Sequence, residues 1–305
     1  MHWHIIGAGS IGCLWAYYLT QAGHSVTLIL RTEEKLALFP GKITIDLYEG
    51  SATSVNCQAE LADNSSKIEN LLVTTKSYSA VDAVNTVSKR LSENATIVMM
   101  QNGMGAQQEI HQLYPDKQVF FATTTDGANQ KRPFHVIQAG LGETLIGSPS
   151  APAPGSWLAS LKETRVSPDS NIEQKLWCKL AINCAINPLT AIHNCRNGQL
   201  PISHLKQMTE ICSEVEQVAS AIGITLFEQP LIERACQVAA ATAENISSML
   251  QDVRQDRPTE IEAITGFLCQ QARQKGVATP ANRELLQKVR DLSQTTHTKN
   301  SRSPE

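Results

Sequence analysis

Apolar and polar positions along the 305-residue chain follow two regimes that change over near residue 171. Residues 2–6 (HWHII) are a short apolar run that reads as a strand, and residues 13–22 carry Leu14, Tyr17 and Tyr18 at helical spacing before Gly23. Residues 25–30 form a second apolar run, so the chain opens as strand, glycine turn, helix, strand. The alternation continues with strands expected at 70–75, 96–100 and 118–123, helices at 79–91 and 106–113, and irregular edge strands within 134–147. Such alternation predicts a mostly parallel sheet with helices on both faces. A turn-rich stretch, 148–155, predicts a loop near the edge of this first domain. Beyond it the period is helical only, with helices expected over 172–187, 204–222, 229–251, 259–275 and 281–294. The expected organisation is an α/β domain over 1–168, an all-α domain over 169–295 and a disordered polar tail, 296–305.

Composition narrows the function classes. The apolar fraction of 42% and charged fraction of 18% fit a soluble globular protein. A net charge of −3 with no basic stripe argues against a nucleic-acid partner. No apolar run reaches the ~18–20 residues that span a bilayer, so no membrane segment is expected. The first residues, Met1-His2-Trp3-His4, do not read as a secretory leader. The eight cysteines stand singly, with no Cys-x-x-Cys pair. No metal site is expected from them, and a reducing cytoplasmic compartment is.

The turn after the first strand, Gly7-Ala8-Gly9-Ser10-Ile11-Gly12, has the strand–turn–helix setting of a dinucleotide-binding loop. There the first glycine makes the tight turn, the second admits a pyrophosphate to the backbone, and the third lets helix and sheet pack closely. Free N–H groups at the helix start attract phosphate. The end of the second strand selects the dinucleotide, because an acid there holds a ribose 2′-hydroxyl. This strand ends in Arg31, a fixed cation suited to a 2′-phosphate, which points to NADP(H). The alternative is a solvated Arg31, with Glu33 or Glu34 taking the ribose. Lys76, after the third strand, is a second phosphate candidate. Asn102, in Gln101-Asn102-Gly103, follows a strand end where ligands collect, although Asn-Gly is also a common turn. Ala128 follows the next strand end and could line the same crevice.

In the helical half, residues 176–192 are apolar apart from Lys179, Asn183, Asn187 and Thr190. Lys179, Asn183 and Asn187 stand four apart and share one helix face. Buried among apolar neighbours, they need a polar crevice or a ligand as partner; the alternative is a narrow solvated stripe. Pro188 is expected to end this helix at or before Asn187. Asn197 precedes Gly198 and reads by default as a turn residue. Residues 243–250, with Ser247 and Ser248, read as helical. Glu260 is expected in the first turn of a helix opened by Pro258 and capped by Asp256, where the dipole stabilises an acid.

Taken together, Trp177-x-Lys179-Leu180-Ala181-x-Asn183-x-x-x-Asn187-Pro188-Leu189-Thr190-Ala191, Asn194-Cys195-x-Asn197-Gly198 and Glu244-Asn245-x-Ser247-Ser248-Met249-x-Gln251-Asp252 with Thr259-Glu260-Ile261 resemble the ketopantoate reductases. That family lies within the 6-phosphogluconate-dehydrogenase-like superfamily, and the resemblance runs from Gly7 to about residue 290. It implies a Rossmann-type doubly wound parallel sheet plus an all-α C-terminal domain, and NADPH-dependent reduction of 2-dehydropantoate to pantoate in pantothenate and coenzyme A biosynthesis. It implies Lys179 as general acid, with Asn183, Asn187, Asn197 and Ser248 as substrate contacts. It further implies that Arg31 and Lys76 hold the 2′-phosphate, that Asn102 touches cofactor and substrate, that Ala128 lies on the cofactor side, and that Glu260 serves cofactor and substrate. The expected partner is a small-molecule substrate, and the expected state a monomer or homodimer. Two other readings stay open: a same-fold reductase of another small 2-keto acid, and a non-catalytic NADP(H) sensor.

Overall fold

The structure, a computed structural model, describes residues 1–150, 155–161 and 164–300, without the side chains of 156 and 294–300. The chain falls into two compact units: residues 1–101 with 106–173, and residues 102–105 with 174–305. The segment Asn102–Gly105 therefore belongs with the helical unit, although it follows a strand of the first.

The first unit runs β1 (His2–Ile6), α1 (Ser10–Gln21), β2 (Ser25–Leu30), α2 (Glu33–Ala37), β3 (Lys42–Asp46), β4 (Ala52–Asn56), β5 (Gln58–Leu61), β6 (Ile68–Val73), α3 (Ala80–Thr86), β7 (Leu91–Met99), α4 (Ala106–Leu113), β8 (Gln118–Thr124), β9 (Gly127–Arg132), β10 (His135–Gly140), β11 (Thr144–Gly147), α5 (Ser156–Ala159) and β12 (Val166–Pro168). Eight strands form one sheet in the order β12-β11-β8-β7-β6-β1-β2-β5, parallel except where β11 meets β8. From β1 the chain goes first to β2 on one side and later to β6 on the other. The carboxyl end of β1 is thus the topological switch point, where a crevice opens.

Of a second sheet, β4-β3-β10-β9, only β10 falls within the edge strands expected over 134–147. This sheet covers the face of α1 turned away from the main sheet: Ile43, Ile45, Val55 and Val136 join Leu14 and Trp15 in one buried cluster. Gln138 of β10 donates from Nε2 to the Tyr18 hydroxyl at 2.7 Å. Covered from both sides, α1 buries Cys13, Leu14, Trp15, Ala16, Tyr18 and Leu19, which is why so little of it is polar.

The helical unit contains α6 (Ile172–His193), α7 (Leu200–Ser203), α8 (Leu205–Ala221), α9 (Leu231–Ala241), α10 (Ser248–Arg254), a π-helical turn (Glu262–Gly266) that runs into α11 (Phe267–Lys275), and α12 (Pro280–Asn300). Four expectations need correction. First, α6 passes through Pro188 to His193. Proline removes one N–H, but the rest of this buried helix outweighs that loss, with Leu189 and Thr190 wholly enclosed. Second, the helix expected over 229–251 breaks at 242–247, because the backbone N–H groups of Asn197 and Gly198 take the carbonyls of Asn245 and Ala243. Third, Asp256 does not cap a following helix; it sits at φ +52° where α10 ends. Fourth, the expected tail continues α12 as far as Asn300, while 301–305, like 151–154 of the expected loop, lie outside the described residues. The start of α12 is held by buried Glu214, whose carboxylate accepts from Ala281 N, Asn282 N and Asn282 Nδ2 at 2.8–2.9 Å. No helix among the described residues is long and apolar enough to cross a membrane.

Arg90 is a buried cation with a full set of partners: the carbonyls of Leu61, Ala62 and Ser66, the Ser66 hydroxyl and the Glu60 carboxylate. His4 lies close by in β1, 3.6 Å from Glu60. Burial, reinforced by His2 and Arg90, lowers its pKa from 6.5 to about 4. A neutral His4 is therefore folded into the sheet, and the unfolded chain takes up a proton at pH values where the folded chain does not. Stability should fall as pH drops from 6.5 to about 4, with roughly 2 kcal/mol of that loss due to His4. Urea unfolding across this range should show a shallower acid limb for His4→Gln, and an unchanged limb would refute the assignment.

Candidate active site

In the first unit the turn between β1 and α1 meets the steric demands of a phosphate cradle. Gly7 has φ +111°, and a Cβ there would strike the Thr74–Thr75 backbone. A Cβ on Gly12 would collide with the Gly7 carbonyl and the Thr74 hydroxyl. Gly9, between them, faces open space, with nothing within 4 Å of its would-be Cβ. Thr74 Oγ1 donates to the Gly7 carbonyl at 2.8 Å and ties the turn to the end of β6. The first turn of α1 has no acidic residue and its N-cap no side-chain hydrogen bond, so its N–H groups and dipole can serve an anion. Ala8, Ser10 and Ile11 complete this turn.

Arg31 follows β2, is exposed and immediately precedes Thr32, whose hydroxyl caps α2 by accepting from Lys35 N. Glu33 and Glu34 lie in the first turn of α2, where the helix dipole already stabilises them. Lys76 follows β6. Because β1, β2 and β6 are parallel neighbours, the glycine turn, Arg31 and Lys76 share one edge of the sheet. These residues fit a phosphorylated dinucleotide: an open approach at Gly9, a helix N-terminus and a cation at the second strand end. Ala128 follows the end of β8, a strand of the main sheet, as expected. It lies within β9 of the smaller sheet, opposite Gln138, and packs against the core around α1.

In the helical unit the stripe on α6 is continuous, since Pro188 does not interrupt the helix. Lys179 and Asn183 are half-buried and Asn187 is buried. Among the described residues the side-chain amides of Asn183 and Asn187 make no hydrogen bond. Desolvation draws the Lys179 pKa from 10.5 to about 8, and the nearby Glu260 carboxylate opposes the fall. Glu260 is 5% exposed. It stands just ahead of the helix rather than within its first turn, and its carbonyl accepts from Ile264 N. The approach to Glu260 is fixed by a bond pair from Arg257 to buried Asp252, at 3.0 Å from Nε and 2.8 Å from Nη2. Nothing in the sequence pattern marked that pair.

The remaining candidates converge on the same unit. Asn102 begins the segment whose Met104 N–H donates to the Ala263 carbonyl of the π-helical turn at 2.8 Å. Gly103, at φ +80°, lies so close to Ala263 that a side chain there would collide with it. Asn197 is buried; its Nδ2 donates to Thr242 Oγ1 at 2.9 Å, and its Oδ1 has no hydrogen-bond partner among the described residues. Ser248 is the exposed first residue of α10, and the Ser247 side chain is the N-cap, accepting from Leu250 N. Ser247 Oγ also bonds Thr190 Oγ1 at 2.6 Å, which pins the start of α10 to α6 beside Asn187. Sequence reasoning had left these hydroxyls unassigned. The unit therefore holds one ammonium that titrates near neutrality, one buried carboxylate beside it and several amides and a hydroxyl with hydrogen-bonding capacity. Chemically, the set can hold a small polar molecule and give it a proton. Among the described residues no group of His, Cys, Asp and Glu is placed to bind a metal ion.

Comparison with known proteins gives one family. The model of ketopantoate reductase PanE/ApbA matches residues 3–151, and that of its C-terminal part matches residues 171–293. A 2-dehydropantoate 2-reductase of Vibrio cholerae serotype O1 is 37% identical over 295 residues, covering 95% of this chain and 97% of that one. Among solved structures, a PanE/ApbA family ketopantoate reductase from Ralstonia eutropha JMP134 superposes with a TM-score of 0.89 at 25% identity, covering 97% of this chain and all (100%) of the other. A D-mandelate dehydrogenase solved with NADH and anilino(oxo)acetate shares the fold, with a TM-score of 0.88 at 20% identity and 97% of this chain covered. With both halves matched and near-complete coverage by relatives, this chain belongs to the ketopantoate reductase family.

Proposed function

We propose that this chain is an NADPH-dependent 2-dehydropantoate 2-reductase, forming pantoate for pantothenate and coenzyme A synthesis. The observation that carries the reading is Lys179: an ammonium drawn to a pKa of about 8, beside Glu260, on a helix face that also presents Asn183 and Asn187. A binding protein has no use for a desolvated proton donor in such a place.

The bound dinucleotide supplies a hydride to the ketone carbon. Negative charge then develops on the ketone oxygen, and the Lys179 ammonium stabilises it and donates the proton. A donor whose pKa lies near the working pH gives up its proton most readily. Asn183 and Asn187 offer amides to the 2-keto acid without adding charge. Asn197 and Ser248, together with Asn102, add further polar contacts, and Glu260 keeps Lys179 protonated and can accept from the substrate hydroxyl. Arg31, supported by Lys76, supplies the charge complement of a 2′-phosphate, which favours NADPH over NADH.

Lys179→Ala should keep NADPH affinity and lower kcat by about two to four orders of magnitude. A structural lysine would instead lower Tm and leave turnover per folded molecule intact, so kcat, NADPH binding and Tm measured on one variant distinguish the two. In the unmodified enzyme the ammonium is the active form, so kcat should be level below pH 8 and decline above it. Arg31→Ala should weaken NADPH by about 1.5–3 kcal/mol and leave NADH nearly unaffected; equal losses in fluorescence titrations would contradict the assignment.

A further inference from the structure

The helical unit has a concavity of about 310 Å³ between Glu262–Lys275 and α12. Three guanidiniums line it: Arg273, Arg283 and Arg290. Arg290 is matched by Glu262, with Nε to Oε1 at 2.6 Å and Nη2 to Oε2 at 2.7 Å. The side chains of Arg273 and Arg283 have no hydrogen bond or ion pair among the described residues. Both line the same concavity as the Cys269 thiol, which is 7% exposed. Gln270 and Gln287 add amides to the rim. Three cations against one carboxylate leave a net charge of about two on a surface that is otherwise slightly acidic overall.

We propose that this concavity is a second ligand site, separate from the reductase chemistry, for a small organic anion carrying phosphoryl groups. Guanidinium forks match phosphoryl oxygens in pairs, and two unmatched forks suit a dianion. The volume exceeds that of a lone phosphate and lies at the lower limit for small-molecule sites. Glu262 occupies the position that such a ligand would take on Arg290, so ligand and carboxylate compete for that fork.

Calorimetric titration of the full chain with pyrophosphate at low salt tests the site. The unmodified chain should bind it. Arg273→Ala combined with Arg283→Ala should weaken binding by at least tenfold, about the value of one charge-assisted contact, and leave ketopantoate reduction unchanged. Glu262→Gln should strengthen it several-fold by freeing Arg290. Saturating NADPH should leave this binding in place, because pyrophosphate seated on the glycine turn would be displaced by the dinucleotide. No binding by the unmodified chain, or binding abolished by saturating NADPH and indifferent to the paired arginine variant, overturns the proposal. Unchanged reductase activity in the paired variant also verifies that it is folded.

Discussion

An ammonium taken out of water is the constraint on which the helical unit turns. Moving Lys179 onto a largely apolar helix costs solvation, and the fall of its pKa to about 8 registers that cost. A carboxylate nearby recovers part of it, so Glu260 must be held in place. Its approach is held by the Arg257–Asp252 pair, and its carbonyl accepts from Ile264 N, a residue of the π-helical turn. Ala263 of that turn in turn accepts from Met104, which fixes the segment beginning at Asn102. A π-helical turn is a rare element, and its presence soon after Glu260 fits a place where position matters more than helix regularity.

The first unit solves a different problem, that of bringing backbone N–H groups to an anion. Its solution is steric. Gly7 and Gly12 are packed so tightly against Thr74 and each other that a side chain has no room, while Gly9 opens outward. A helix that starts in such a turn cannot use a capping side chain, and α1 has none. What keeps α1 in place is apolar contact on two sides, from the main sheet and from β3, β4 and β10. The second sheet is thus part of the cradle's support rather than an appendage.

Much of this was legible in the sequence because it rests on local rules. The glycine turn, the strand alternation and the four-residue steps of Lys179, Asn183 and Asn187 are periodic signals, and each falls where the pattern put it. The failures share a cause. Pro188 reads as a helix end by propensity, yet the packing of a 22-residue helix overrides it. The break at 242–247 is imposed by the backbone of Asn197 and Gly198, some 45 residues away in sequence, and no local pattern announces it. Of the smaller sheet, β3, β4 and β9 are short and half-exposed, so their alternation is weak. The Asp252–Arg257 pair and the Ser247–Thr190 bond are contacts of the fold, invisible until the chain is closed.

The central claim is that Lys179 is a proton donor tuned by burial. Its pKa can be read directly by NMR titration of the enzyme with labelled lysine side chains, using the resonance that disappears in Lys179→Ala. The titration should centre near pH 8, well below the 10.5 of a solvated lysine. A Lys179 that titrates at about 10.5 would mean that the ammonium is fully solvated, and would contradict the mechanism built on it.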